Sequence, residues 1–246
     1  ASDVYKRQVL AVNAGVVAAL VLLTLLFGRV YCSVICPLGV FQDVVSRAAA
    51  RRRKNRFRYS RALSWLRYGI LALFLVALVA HFKPVSNLLA PYSAYGRIVS
   101  NLFAPLYLWG NNLLAYIAGR MDSYAFYSVD VWMKSLSTLL VAVVTFAVLF
   151  VLAWRSGRTY CNTICPVGTV LGFLARYSLF KPRFDTSKCN GCKLCARNCK
   201  ASCIDPAAHK IDYSRCVACM DCLENCRQGA ITYTPVSYTH LRAHET

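Results

Sequence analysis

Cys189-Asn190-Gly191-Cys192-Lys193-Leu194-Cys195-Ala196-Arg197-Asn198-Cys199 is echoed by Cys216-Val217-Ala218-Cys219-Met220-Asp221-Cys222-Leu223-Glu224-Asn225-Cys226. Three thiolates at this spacing sit on one tight loop and wrap three irons of a cubane, while the fourth cysteine is carried by the next turn towards the other half. The expected ligand sets are therefore Cys189, Cys192 and Cys195 with Cys226, and Cys216, Cys219 and Cys222 with Cys199. Gly191 lets the backbone turn closely around a cluster, and amide N–H groups near the sulfurs tune its potential. Zinc is the competing occupant, because two Cys-x-x-Cys pairs hold one ion tetrahedrally. Eight cysteines in two equal four-ligand runs fit two [4Fe-4S] clusters better. The chain has 13 cysteines in all. An odd count in close triplets argues against a purely disulfide framework. Cys203 aligns with Ala230 in the repeat and reads as a small packed residue.

Upstream lies a second repeat. Gly28-Arg29-Val30-Tyr31-Cys32-Ser33-Val34-Ile35-Cys36-Pro37-Leu38-Gly39 matches Gly157-Arg158-Thr159-Tyr160-Cys161-Asn162-Thr163-Ile164-Cys165-Pro166-Val167-Gly168. Each copy follows an apolar stretch, and a third such stretch lies between them. The three run from about Val9 to Phe27, Leu63 to Phe82 and Leu136 to Trp154, and each is read as a transmembrane helix. The first, at 1.5 Å rise per residue, reaches about 28 Å, close to the hydrocarbon thickness. Arg67 in the second is expected to snorkel. The Cys-x3-Cys pairs put two thiols on one face of a helix if the segment is helical. Cys32, Cys36, Cys161 and Cys165 thus offer a third cluster, a soft metal site such as Cu(I), a reversible dithiol, or simple packing at a helix start.

The composition is 57% hydrophobic and 16% charged with a net charge of +19, and the mean hydropathy is +0.43. So apolar a chain excludes disorder and disfavours an ordinary soluble domain. The basic residues from Arg47 to Arg61, opposed by Asp43, and those following the third span place both segments in the cytoplasm by the positive-inside rule. Flanked by spans, the arginine run is an orientation signal touching anionic lipid rather than a nucleic-acid site. In 83–135, Ile98, Val99, Leu102, Phe103, Leu106 and Tyr107 recur at helical spacing, and Tyr92, Tyr95, Tyr107, Trp109, Tyr116 and Tyr124 suit an interface. Short helices at the outer surface are expected there. No Cys-x-x-Cys-His or Gly-x-Gly-x-x-Gly occurs, and His81 and His209 are the only histidines before residue 236. No nucleophile-and-base set stands out, so no catalytic residue is assigned. An electron-transfer component of an oxidoreductase system is expected rather than a stand-alone enzyme.

The ends read differently. Asp3 to Gln8 is encodable by GAT GTG TAT AAG AGA CAG, whose reverse complement, read from another frame, encodes Val236 to His240 and then permits Leu241. Residues 1–8 and 236–246 are therefore expected to be adaptor-derived. The remaining chain divides into a membrane domain, 9–181, and a ferredoxin domain, 182–235. The fold class expected is an α-helical membrane domain with at least three spans and interfacial helices, followed by a small α+β two-cluster domain.

Residues 182–235 resemble the bacterial-type two-cluster ferredoxins, with strands at Arg183–Asp185 and Ile231–Tyr233 and a Cys203–Asp205/Lys210–Tyr213 hairpin. Where that family has proline after the fourth cysteine, Lys200 and Arg227 stand here. Basic residues there favour the reduced cluster or dock an acidic partner. Together, the spans, two CxxxCP motifs and the cysteine runs resemble the NapH/NosR/CcoG-type membrane-bound 4Fe-4S proteins over about residues 9–235. That resemblance implies electron transfer at the bacterial cytoplasmic membrane, between a quinol or cytoplasmic donor and a reductase, with membrane lipid and redox proteins as partners. The alternative is a factor that handles copper or another soft metal at the CxxxCP motifs during assembly of a respiratory metalloenzyme.

Overall fold

The structure, a computed structural model, describes residues 2–50, 57–121, 125–131 and 135–236, with backbone alone for 2–12 and 50. Most of the arginine run (51–56), Asp122, Tyr124, Lys134 and residues 237–246 lie outside the described residues, and with them most of the charge pattern behind the expected orientation.

The upstream repeat folds twice into one local plan. Helix α1 (Ser2–Phe27) ends at Gly28, a π-helical turn spans Tyr31–Ile35, and α2 runs Pro37–Ala50. Helices α3 (Ser64–Val79), α4 (Lys83–Leu89), α5 (Pro91–Ile98) and α6 (Ala104–Arg120) intervene, with a second π turn at Val99–Phe103. Helix α7 (Leu136–Ser156) then ends at Gly157, followed by α8 (Thr159–Thr163) and α9 (Pro166–Leu174). Gly28 and Gly157 take φ of +74° and +67°, a left-handed turn that L side chains resist. Cys36 and Cys165 are extended, with ψ of 115° and 117°. The following proline explains this, because its ring excludes the helical region from the residue before it while favouring the first helical position itself.

Of the three expected spans, Leu136–Ser156 alone is long and apolar enough to cross a membrane among the described residues; Asn13–Phe27 and Ser64–Val79 are shorter apolar helices. Only 17% of the most apolar window of α7 is buried, unlike the core helix of a soluble protein. Leu140, Val144 and Val151 face outwards on it, as do Leu73, Val76 and Val79 on α3. Arg67 does not snorkel: it is buried, and Nη1 and Nη2 donate to Ser214 Oγ and O at 3.1 Å each. Nor is all of 83–121 an interfacial layer. Ile98 is buried, and Tyr95 and Leu102 pack beside it against Cys36, Leu149, Tyr160, Cys161 and Cys165.

The C-terminal lobe is two small antiparallel ladders carrying two loops. Strand β1 (Phe180–Phe184) precedes α10 (Leu194–Arg197), the hairpin β2 (Ile204–Asp205) and β3 (Lys210–Ile211), α11 (Asp221–Glu224) and β4 (Ile231–Pro235). Pro182 faces Tyr233 across the β1/β4 ladder, and Ile204 faces Ile211 in the hairpin. The lobe sits on the helices through backbone bonds. Leu179 N donates to Leu25 O at 2.7 Å and Arg158 N to Lys200 O at 3.0 Å. Phe180 stacks between Phe27 and Tyr233.

The two glycines that close the upstream motifs set how tightly each copy folds. A Cβ at Gly39 would lie 2.2 Å from Cys32 O, and one at Gly168 2.2 Å from Cys161 O, whereas Gly69 has open space around it. Gly39→Ala and Gly168→Ala are each expected to cost about 1–3 kcal/mol by overpacking, read as lowered thermal unfolding midpoints in detergent. Gly69→Ala, inside helix α3, is expected to be neutral or to stabilise slightly.

Candidate iron-sulfur site and its support

Each downstream loop repeats the same backbone device. Gly191 and Lys193 have φ of +70° and +60°, and their counterparts Ala218 and Met220 have +49° and +60°. Three L residues held left-handed at matched positions are strained conformations maintained by their surroundings. Such alternation turns successive N–H groups inward and builds a concavity for anions or iron–sulfur groups. Backbone N–H groups near the sulfurs of Cys195, Cys216 and Cys219, those of Ala196, Ala218 and Asp221, favour the thiolate.

Two small voids lie over these loops. One is lined by Cys189, Cys192, Cys195 and Cys226, with Phe184, Pro206 and Ala230 among its walls. The other is lined by Cys199, Cys216, Cys219 and Cys222, with Cys203, Pro182 and Ile204. The fourth cysteine of each run is thus brought to the triplet of the other. Among the described residues, no three His, Cys, Asp or Glu side chains converge as a single metal ion would require; the sulfurs instead surround a space, the donor arrangement that suits a polynuclear core. Cys203 is buried in the apolar core of the lobe. Its Sγ also lies 3.5 Å from that of Cys199. Hydrogen bonding from the Cys203 thiol, helped by backbone N–H groups, lowers the Cys199 pKa despite burial. Burial pushes the Cys219 thiol up to about 12. In the first void, Ala230 stands where the second has Cys203.

The four CxxxCP cysteines are all buried. Cys36, Cys161 and Cys165 share one apolar core with Leu38, Ile98, Leu149 and Tyr160. The two members of each pair do not share one helix: Cys165 caps the start of α9, its Sγ accepting from Gly168 N at 3.3 Å. Gln42 Nε2 donates to Cys161 Sγ at 3.3 Å, and Arg29 Nη2 stands 3.9 Å from Cys32 Sγ. Burial drives the Cys165 thiol up to about 12 and also raises those of Cys36 and Cys161. These are neutral thiols at pH 7 unless a cation stabilises the thiolate.

The repeated Gly-Arg dipeptides supply the cross-brace. Arg29 donates to Cys161 O at 3.1 Å and to Asn162 Oδ1 at 2.8 Å in the second copy. Arg158 reciprocates onto Cys32 O in the first. Arg29 also reaches Ser214 O at 3.2 Å, two residues before Cys216. Arg158 grips Asp43 with Nε at 2.8 Å and Nη2 at 2.6 Å. Asp43 lies 3.6 Å from Lys200 Nζ, which pairs with Asp221 at 2.8 Å. Lys200 therefore does not dock an acidic partner. It is 6% exposed and joins the loop of the second cysteine run to helix α2. Sequence reasoning missed this network, although Asp43 stood out as the lone acid among arginines.

The comparisons with known proteins fall on the cysteine motifs. The family described as 4Fe-4S binding domain matches residues 11–57 and 138–187, the two CxxxCP halves, and a second family of that description matches 209–232, the second cysteine run. Ferredoxin-type protein NapH of Haemophilus influenzae is 29% identical over 186 residues, 74% of this chain and 52% of that protein. An uncharacterized protein of Methanocaldococcus jannaschii is 43% identical over 53 residues, 22% of each chain. The chain thus spans about half of the first relative and about a fifth of the second. No solved structure matches.

Asp43 compensates buried Arg158, and its removal leaves that guanidinium without a carboxylate and Lys200 with Asp221 alone. Asp43→Asn is expected to cost about 3–5 kcal/mol, as removing one partner of a buried charge pair does. Limited proteolysis would then cut between the helices and the C-terminal lobe, and the thermal midpoint would fall.

Proposed function

We propose that this protein relays single electrons at the cytoplasmic membrane, from a quinol or cytoplasmic donor to a reductase, through two [4Fe-4S] clusters. Cys189, Cys192, Cys195 and Cys226 would hold one, and Cys199, Cys216, Cys219 and Cys222 the other. The observation that carries this reading is the pair of voids over left-handed loops, each lined by three sulfurs of one run and the fourth of the other. When bound, such clusters supply reversible one-electron chemistry. The protein's part is to hold them at a set spacing, exclude water and stabilise their charge. The second void is the inner one: Arg29 links the backbone at Ser214 to the Cys32 and Cys161 layer. The first opens outwards, with Cys192 exposed. A route from the outer void to the inner one and on to the CxxxCP layer follows from this order, in either direction.

Membrane residence is supported by the unburied apolar face of α7 and by the outward-facing residues of α3, since exposed patches of this kind seek lipid or a partner. We place the protein as multi-pass, with the ferredoxin lobe and CxxxCP motifs on the cytoplasmic side.

A second reading is metal handling during assembly of a respiratory enzyme; what supports it is the burial of Cys36, Cys161 and Cys165 in one core, although among the described residues these thiols are not gathered closely enough to hold a single ion as they stand. Soft thiols suit Cu(I) or a third cluster.

Anaerobic reconstitution with iron and sulfide analysis tests the main reading. About eight irons are expected on the ferredoxin cysteines, falling by about four in Cys226→Ser or Cys199→Ser. Cys203→Ser is expected to retain all of them. Fewer than two cubanes in the parent chain would overturn the assignment. Cys32→Ser with Cys161→Ser separates the two readings: loss of bound copper with both cubanes intact favours assembly, whereas unchanged metal content assigns these thiols to packing.

A further inference from the structure

A cavity of 510 Å³ lies between the 57–63 segment, the last turn of α7 and the turn after Cys199. Arg58, Arg61, Arg155 and Arg215 line it, and no carboxylate does. A neighbouring cavity of 580 Å³ shares Phe57 and Arg58 and adds Lys193 and Arg197, again without a carboxylate. Guanidinium groups gathered around one void repel each other. Among them Arg215 is 4% exposed. Its Nε is held by Asp212 at 2.8 Å and its Nη1 by Ser60 Oγ at 3.4 Å, while Nη2 has no partner. Asp212 also accepts from Ser214 and compensates Arg215 from outside the cavity wall; among the described residues the wall itself holds four arginines and no carboxylate.

We propose that the 510 Å³ cavity binds a phosphate group. The lining suits a tetrahedral oxyanion: four arginines, whose guanidiniums carry forked donors, together with Ser60 and Ser202. Two sources share this chemistry, a phospholipid headgroup and free phosphate. The position favours neither by chemistry alone, but Arg155 and Ser156 belong to the last turn of the one helix of membrane length among the described residues, which sets the cavity at headgroup depth if α7 spans. Arg215 directly precedes Cys216, so an anion bound there also lies beside the inner cysteine-lined void. The site does not depend on how the cysteines are loaded.

The test uses the full chain in a non-ionic detergent. One arm titrates inorganic phosphate calorimetrically. The other passes the protein through vesicles of phosphatidylcholine and phosphatidylglycerol, and reads retained lipid by native mass spectrometry. Saturable phosphate binding that salt suppresses identifies free phosphate; one retained phosphatidylglycerol without phosphate uptake identifies the headgroup. Arg61→Gln with Arg155→Gln alters exposed side chains and is expected to keep the fold, checked by circular dichroism. It should weaken whichever ligand binds by more than about tenfold, since removing one charge-assisted hydrogen bond costs about a factor of ten or more in affinity. Arg215→Lys retains the charge beside Asp212 but loses the fork that also bonds Ser60, and should weaken binding, with circular dichroism and the thermal midpoint read alongside so that only folded protein is compared. Absence of both ligands from the parent chain, or undiminished binding by the folded double variant, overturns the proposal.

Discussion

Arg158 reaches from the second CxxxCP copy into the first, donating both to the Cys32 carbonyl and to the Asp43 carboxylate, while Arg29 makes the reverse crossing to Cys161 and Asn162. Both guanidiniums are fully buried. A buried charge is tolerated only when its donors are matched, so these crossings hold the two halves in one register. Lys200 extends the same constraint into the C-terminal lobe through Asp43 and Asp221. The cation that replaces the ferredoxin proline is therefore a joint between two parts of the chain.

Once the halves are clamped, the glycines complete the geometry. Gly39 and Gly168 admit the Cys32 and Cys161 carbonyls at distances no side chain permits, so the glycine of one motif and the arginine of the other act on the same backbone atom. The symmetry ends one helical turn later. Gln42 and Asp43 correspond by position to Leu171 and Gly172. The first pair supplies a donor to Cys161 and the anchor for two cations. Gly172 instead lets Ser214 O and Arg67 approach. One half is built to hold charge, and the other to seat the lobe that carries the cysteine runs.

The order of the cysteine sites follows from that seating. Arg29 touches the CxxxCP layer and the backbone before Cys216, which makes the second void the inner one and leaves the first towards solvent. Strained left-handed residues in both loops are maintained because the ladders and short helices around them over-determine their positions. Such rigidity limits reorganisation around any bound group, which is what a relay of electrons requires.

Much of this was written in local spacing. Two matched cysteine runs and two GR-x-YC-x-x-ICP-x-G motifs needed only short-range rules: fixed intervals between thiols, proline at a helix start, glycine at a close turn. The strands were placed by resemblance to two-cluster ferredoxins, and the first runs Phe180–Phe184 rather than Arg183–Asp185. Apolar length marked α7 in the same way. Tertiary structure alone decided where the cations went. Arg67 looked like a snorkelling residue and became an internal donor to Ser214; Lys200 looked like a docking residue and became a buried brace. Tyr95 and Ile98 looked interfacial and joined the CxxxCP core. A thiol's ligand spacing is encoded within a dozen residues, whereas the fate of a charged or amphipathic side chain depends on which counter-charge or carbonyl the folded chain brings to it from far along the sequence.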